Sequence, residues 1–185
     1  MARVLRVTTT SAQETRILGA SLSGTLLPGD IVSLTGELGA GKTAFVQGVA
    51  AALGAEGRIT SPSFTLVHEY EARYRILHVD VYRLDSFQEV LDLGFEEVLD
   101  PGAIVLLEWG NAVEPLLPQN HLTVDLRRSP DPEAEDDRII TFRPRGIEWI
   151  RKLQEMRTTA EALLDAASPE PLGDERFSAP KEGSD

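Results

Sequence analysis

The segment Gly36-Glu37-Leu38-Gly39-Ala40-Gly41-Lys42-Thr43 constrains this chain more than any other stretch. It fits the pattern G-x-x-x-x-G-K-[ST] and stands between a compact strand-forming run, Ile31-Val32-Ser33-Leu34-Thr35, and a helix-forming run from about Lys42 to Leu53. A strand that feeds a helix through a glycine-rich turn predicts an α/β domain built on parallel strands. The glycines reach backbone conformations that other residues adopt only with strain, and they let the main chain approach a ligand closely. Successive N–H groups then form an anion nest, and the positive end of the following helix points at the same place. Lys42 places a cation against β- and γ-phosphates, and the Thr43 hydroxyl is a ligand for Mg²⁺. The expected ligand is ATP with Mg²⁺, held by Glu37, Leu38, Gly39, Ala40, Gly41, Lys42, Thr43 and Ala44.

The remaining pattern fits the same architecture. Val4 to Val7 reads as a short strand, and Ser11 to about Leu27 as a helix capped by Ser11 or Thr10. Ile76 to Tyr82 reads as a strand ending near Asp80, and Ser86-Phe87-Gln88-Glu89 as a capping box opening a helix towards Leu93. Ala103 to Leu107 is a continuous apolar run, as a strand buried on both faces requires. Leu122 to Leu126 and Ile139 to Phe142 read as an antiparallel pair, joined by a loop rich in Asp and Glu. Ile147, Ile150, Leu153 and Met156 fall on one helical stripe, followed by Leu163 and Leu164. From Ser168 onward, prolines and a shortage of large apolar groups predict disorder. The expectation is a three-layer α/β domain with a mainly parallel sheet over residues 1–146, a C-terminal helix over 147–167 and a disordered tail over 168–185. The pattern does not fix the strand order.

A phosphate loop of this kind needs a carboxylate to hold Mg²⁺. Two acids stand at the ends of buried strands: Glu108, after Ile104-Val105-Leu106-Leu107, and Asp80, after Leu77-His78-Val79. An acid at that position lies at the carboxyl edge of the sheet, where ligands bind in open α/β folds. One is expected to hold the metal and the other to orient an attacking water or a substrate hydroxyl; spacing leaves the assignment open. Trp109 follows Glu108, and strand alternation turns it to the opposite side, towards the nucleotide, a partner surface or the core. His68 and His78 lack metal-ligand spacing and read as structural.

Charge narrows the partners. The 185 residues carry a net charge of −12, which opposes direct binding of RNA or DNA, because that affinity comes largely from Lys and Arg neutralising phosphates. There is no cysteine, so disulfides, thiol catalysis and zinc–thiolate sites are excluded. The first residues lack the apolar core of a signal peptide, and no stretch has the length of a membrane span, so a cytoplasmic location without membrane attachment is expected.

Taken in order, the phosphate loop, Thr60-Ser61-Pro62-Ser63-Phe64-Thr65-Leu66-Val67, Asp80-Val81-Tyr82-Arg83-Leu84 and Glu108-Trp109 resemble the bacterial TsaE (YjeE) family, small ATPases of tRNA threonylcarbamoyladenosine synthesis. The similarity runs from about Ser11 to Phe142. It implies hydrolysis of ATP in support of two partner proteins, of TsaB and TsaD type, that form the threonylcarbamoyl-transfer complex acting on adenosine 37 of tRNA, with the tRNA met only indirectly. It also implies roles for residues: Lys42 and Thr43 at the phosphates and magnesium, Glu108 as the metal-site acid, Asp80 as an acid of hydrolysis and Trp109 as a functional tryptophan. Ser61-Pro62-Ser63 matches a segment beside the γ-phosphate, Ser11 and Ala12 match an adenine contact, and Arg138 matches an arginine near the nucleotide. Ser63 stands where the family often has Thr, and Val81 where Leu is common.

The leading expectation is therefore an ATP-driven accessory protein. The rival is an autonomous P-loop kinase of a small metabolite or nucleoside, against which stands the lack of an arginine-rich lid. A third reading is a nucleotide-gated binding module with negligible turnover.

Overall fold

A computed structural model describes residues 4–62, 65–82, 89, 94–167 and 177–178. Along the chain these form β1 (Leu5–Thr9), α1 (Ala12–Ser23), β2 (Ile31–Thr35), α2 (Lys42–Ala52), β3 (Val67–Tyr70), β4 (Ile76–Asp80), α3 (Phe95–Val98), β5 (Ile104–Glu108), β6 (His121–Arg128), β7 (Arg138–Arg145), α4 (Ile147–Ala167) and β8 (Phe177–Ser178). Two short 3₁₀ turns, Gly110–Ala112 and Glu114–Leu116, follow β5.

The strands make one sheet in the order β3-β4-β5-β2-β6-β7-β1-β8. Its centre, β4-β5-β2-β6, is parallel. β4 and β5 are buried at every position and β2 at all but its last, which explains their largely apolar sequences. The flanks are antiparallel: β3 on β4, and β7, β1 and β8 beyond β6. The expected β6–β7 pair is present and longer than its apolar stretches, because both strands alternate between a core face and a more exposed, polar face.

One face of the sheet packs under α1, α2 and α4, around Leu18, Phe45, Leu106, Val124, Phe142 and Trp149. The opposite face carries a thinner third layer, in which α3 and the 3₁₀ turns cover Val79, Val105 and Leu107. Among the described residues this layer does not extend over β6, β7 and β1. Helices α1 and α2 meet at their backbones. A Cβ on Gly48 would stand 1.9 Å from the carbonyl oxygen of Arg16, so only glycine permits that approach.

The apolar stripe of α4 differs from the expected one. The structure buries Trp149, Leu153, Met156, Ala160 and Leu164 and leaves Ile147, in the first turn, 83% exposed. Lys152 lies on the buried face because its Nζ donates to Asp30 Oδ1 at 2.6 Å, while Asp30 Oδ2 also accepts from Leu27 N at 2.7 Å. A buried carboxylate deprived of its cation is costly. Lys152→Met is expected to lower stability by about 3 kcal/mol, with part of the loss recovered in the Asp30→Asn, Lys152→Met double variant. Urea denaturation checks this; an unchanged midpoint in the single variant would contradict a structural role for the pair.

Within the segment 168–185, Phe177 and Ser178 pair with Val7 and Arg6 of β1. Phe177 packs against the main core, an apolar contact that the surrounding composition does not advertise. The other residues of that segment lie outside the described residues, as do Ser63 and the expected helix from the Ser86 capping box, apart from Glu89.

Candidate nucleotide site

Because β2, β4 and β5 are parallel, their C-terminal ends share one edge of the sheet. Asp80 and Glu108 stand opposite each other in the β4–β5 ladder, and Leu34 of β2 pairs with Glu108 from the other side. The loop leaving β2 therefore begins beside both acids.

That loop turns tightly. Gly36 has φ 134°, and a Cβ there would lie 2.1 Å from the carbonyl oxygen of Leu126 in β6. No side chain fits that approach. The helix α2 starts at Lys42 directly after Gly41, itself left-handed at φ 104°, so the N-terminal amides of α2 face the mouth of the cleft.

Lys42 is 4% exposed, and its Nζ donates to Gly36 O at 2.8 Å and Glu37 O at 2.9 Å. Burial pulls its pKa below the ordinary lysine value, and the nearby carboxylates of Glu108, Asp80 and Glu37 oppose that shift. The Trp109 ring lies 3.8 Å from Nζ, a cation–π contact, and stacks at a tilt on Tyr82 with centroids 4.7 Å apart. Trp109 has a left-handed backbone, φ 64°, just past the end of β5. Because that turn ends the strand, alternation does not apply: the ring faces Lys42 in the same cleft as Glu108, not on the opposite side as expected, and Trp109 also packs against the second apolar cluster.

The two acids are held differently. Glu108 accepts the Thr43 hydroxyl at 2.8 Å on Oε1 and 3.1 Å on Oε2. His78 Nε2 lies 2.9 Å from the same Oε1 and, facing a carboxylate, donates. Asp80 accepts from the Ser61 hydroxyl on Oδ2 and from Tyr82 N at 3.0 Å on Oδ1. Thr43, a serine and both carboxylates therefore meet in a cleft of about 380 Å³, whose walls include Leu38, Gly39, Gly41, Lys42, Ala44 and Trp109.

Three residues matched to the nucleotide lie outside these walls. Ser11 caps α1, its hydroxyl accepting from Glu14 N at 3.1 Å, and Ala12 is the exposed first residue of that helix. The start of α1 nevertheless adjoins the loop: Thr15 Cγ2 would be 3.6 Å from a Cβ on Gly41. Arg138 donates to the carbonyls of Glu135 and Asp137 at 2.8 and 2.9 Å and so clamps the acidic loop.

Two residues not singled out as functional in the sequence reach the site or its loop. His78 is fully buried against Glu108, and its position two residues before Asp80 on one strand was a usable signal, since strand period two puts both on one face. Arg128 touches the phosphate loop, with Nη2 3.4 Å from Leu38 O and Nε 3.7 Å from Glu37 Oε1. Only the β2–β6 pairing brings it there, and local sequence carries no sign of it.

Residues 9–139 match the family model described as Threonylcarbamoyl adenosine biosynthesis protein TsaE. A relative from Treponema pallidum, described as tRNA threonylcarbamoyladenosine biosynthesis protein TsaE, is 40% identical over 131 residues, 71% of this chain and 97% of the relative. A protein of the same description from Bacillus subtilis is 35% identical over 153 residues, 82% of this chain and 93% of the relative. The crystal structure of B. subtilis YdiB superposes with a TM-score of 0.72 at 31% identity, covering 85% of this chain and 97% of that one. No helix among the described residues is long and apolar enough to cross a membrane.

Proposed function

The chain belongs to the TsaE family, and from that premise we propose that it binds and hydrolyses Mg-ATP to assist the protein complex that forms threonylcarbamoyladenosine on tRNA. The observation that carries the reading is the meeting of Thr43 and Glu108, 2.8 Å apart, at the mouth of a glycine-rich loop closed by Lys42. A hydroxyl and a carboxylate are hard oxygen donors, and Mg²⁺ takes one or two such protein ligands together with water and phosphate oxygens. When bound there, Mg²⁺ neutralises phosphate charge.

The chain's own groups supply the rest. The loop amides and Lys42 hold the β- and γ-phosphates and stabilise the charge that develops on them. Glu108, anchored by His78, is assigned to the metal. Asp80, oriented by Ser61 and the Tyr82 amide, is assigned to the attacking water. Ser11, Ala12 and Arg138 are retained as contacts on the nucleoside side. Slow turnover is expected in isolation, because no arginine lines the cleft among the described residues; docking of the two partner proteins, of TsaB and TsaD type, is expected to raise it.

Product analysis with labelled ATP tests the assignment. Free phosphate, released faster when the partner proteins are added, is the expected result. A phosphorylated metabolite would identify the kinase instead, and no phosphate release under any condition would leave a binding module. The anchoring of Glu108 has its own consequence. His78→Leu is expected to lower turnover by about tenfold while leaving ADP affinity nearly unchanged, and His78→Gln to retain more activity because it keeps a donor. Steady-state kinetics and nucleotide titration check this; equal turnover in wild type and His78→Leu would contradict it.

A further inference from the structure

The face of β6, β7 and β1 that faces away from the helices is basic, although the chain as a whole carries a net charge of −12. Strand alternation places Arg127 of β6, Arg143 and Arg145 of β7 and Arg6 of β1 on it, and Arg128 reaches it from the end of β6. Two adjoining clefts, of about 730 and 620 Å³, run across this face. Both are bordered by Arg127, Arg128 and Arg143, the first reaching Arg145 and the second Arg6. The five arginines meet three carboxylates: Asp125, 2.8 Å from Arg127; Glu114, 3.4 Å from Arg145; and Glu37, 3.7 Å from Arg128. Among the described residues Arg143 has no ion pair, and the buried Nε of Arg6 has no hydrogen-bond partner.

We infer that this face, which no helix covers among the described residues, docks an acidic segment of a protein partner. Guanidinium groups match carboxylate and phosphate alike, so the anion alone does not choose between protein and nucleic acid. Two observations choose. A sheet that reads single-stranded RNA stacks bases on aromatic side chains carried by its strands; here the strands offer Thr123, Asp125, Ile139 and Thr141, and Trp109, at the edge of the first cleft, has its ring against Lys42 and Tyr82. Moreover, Pro130 at the rim of the second cleft leads into the loop carrying Asp131, Glu133, Glu135, Asp136 and Asp137. The first of those acids follows Pro130 directly, so a long polyanion crossing that rim meets like charge. A short acidic segment that ends at the arginines avoids it. The first cleft also shares Trp109 with the nucleotide cleft and is bordered by Gly36 and Glu37, whose carbonyls accept from Lys42, so an occupant would touch the walls of the nucleotide site from outside.

The test requires no nucleotide and so stands apart from the ATPase reading. The full chain is titrated against a fluorescein-labelled oligoglutamate peptide and, separately, a labelled single-stranded RNA of mixed sequence, followed by anisotropy at low and physiological salt. Saturable peptide binding is expected, weakened by salt and by about tenfold in Arg127→Glu, Arg143→Glu, with RNA held more weakly than the peptide. If that variant fails to fold, judged by circular dichroism, Arg127→Gln, Arg143→Gln decides, with a smaller loss in the same direction. Absence of peptide binding, peptide affinity unaffected by the substitutions, or tighter binding of RNA than of peptide would each overturn the inference.

Discussion

Replacing Lys42 with alanine is expected to lower ATP affinity by at least about 100-fold, about 2.7 kcal/mol. Its ammonium is the one charge that the loop encloses. It is nearly buried, it bridges the carbonyls of Gly36 and Glu37, and it lies against the face of Trp109. Desolvation disfavours the charged form, against the carboxylates of Glu108, Asp80 and Glu37, and a triphosphate would add further counter-charge in a site where water screens poorly. Alanine removes that attraction and also releases the two carbonyls that shape the loop. Titration with a fluorescent ATP analogue checks the effect, and wild-type affinity in this variant would contradict the placement of the phosphates.

The second large effect is expected at Glu108. Glu108→Ala should retain ADP but lose hydrolysis by about 10²–10³-fold, the size of effect seen when one preorganised electrostatic contact is removed from a reacting phosphoryl or acyl group. In the proposed function ADP is held chiefly by loop amides and Lys42, which this substitution leaves in place. Hydrolysis there depends on Glu108 as the metal-site acid, a side chain fixed twice, by Thr43 and by His78. Comparison of single-turnover phosphate release with ADP dissociation constants separates the two. Loss of ADP binding in parallel with hydrolysis would show that Glu108 supports the loop rather than the chemistry.

The division of labour between Asp80 and Glu108 illustrates what the sequence could and could not express. Both acids were legible, because each ends a largely apolar strand and so lies at the carboxyl edge of a parallel sheet. Their roles were not legible, because role depends on partners from other strands and helices. Thr43 reaches Glu108 across 65 positions of sequence and Ser61 reaches Asp80 across 19, distances that only the fold closes. The loop and the central strands were readable for the opposite reason: their physics is local, a glycine turn between a strand and a helix.

Strand order, by contrast, is set by long-range pairing. The insertion of β2 between β5 and β6 gives Arg128 its contact with Leu38, with no local mark on either strand. The net charge of −12 likewise concealed five arginines gathered on one sheet face, because a sum over residues carries no information about where they lie. In α4 the expected stripe included Ile147 and Leu163, which are exposed, and missed Lys152, since periodicity of apolar residues alone cannot tell that a buried lysine is tolerable once Asp30 answers it.

The most direct test of the account is isothermal titration calorimetry of the full chain with ATP in the presence and absence of Mg²⁺, repeated with Lys42→Ala. The account predicts saturable binding at one site per chain, strengthened by Mg²⁺ and abolished by the substitution. Folded wild-type protein that gives no heat of binding at millimolar ATP and Mg²⁺, or that binds equally well without Lys42, would contradict it.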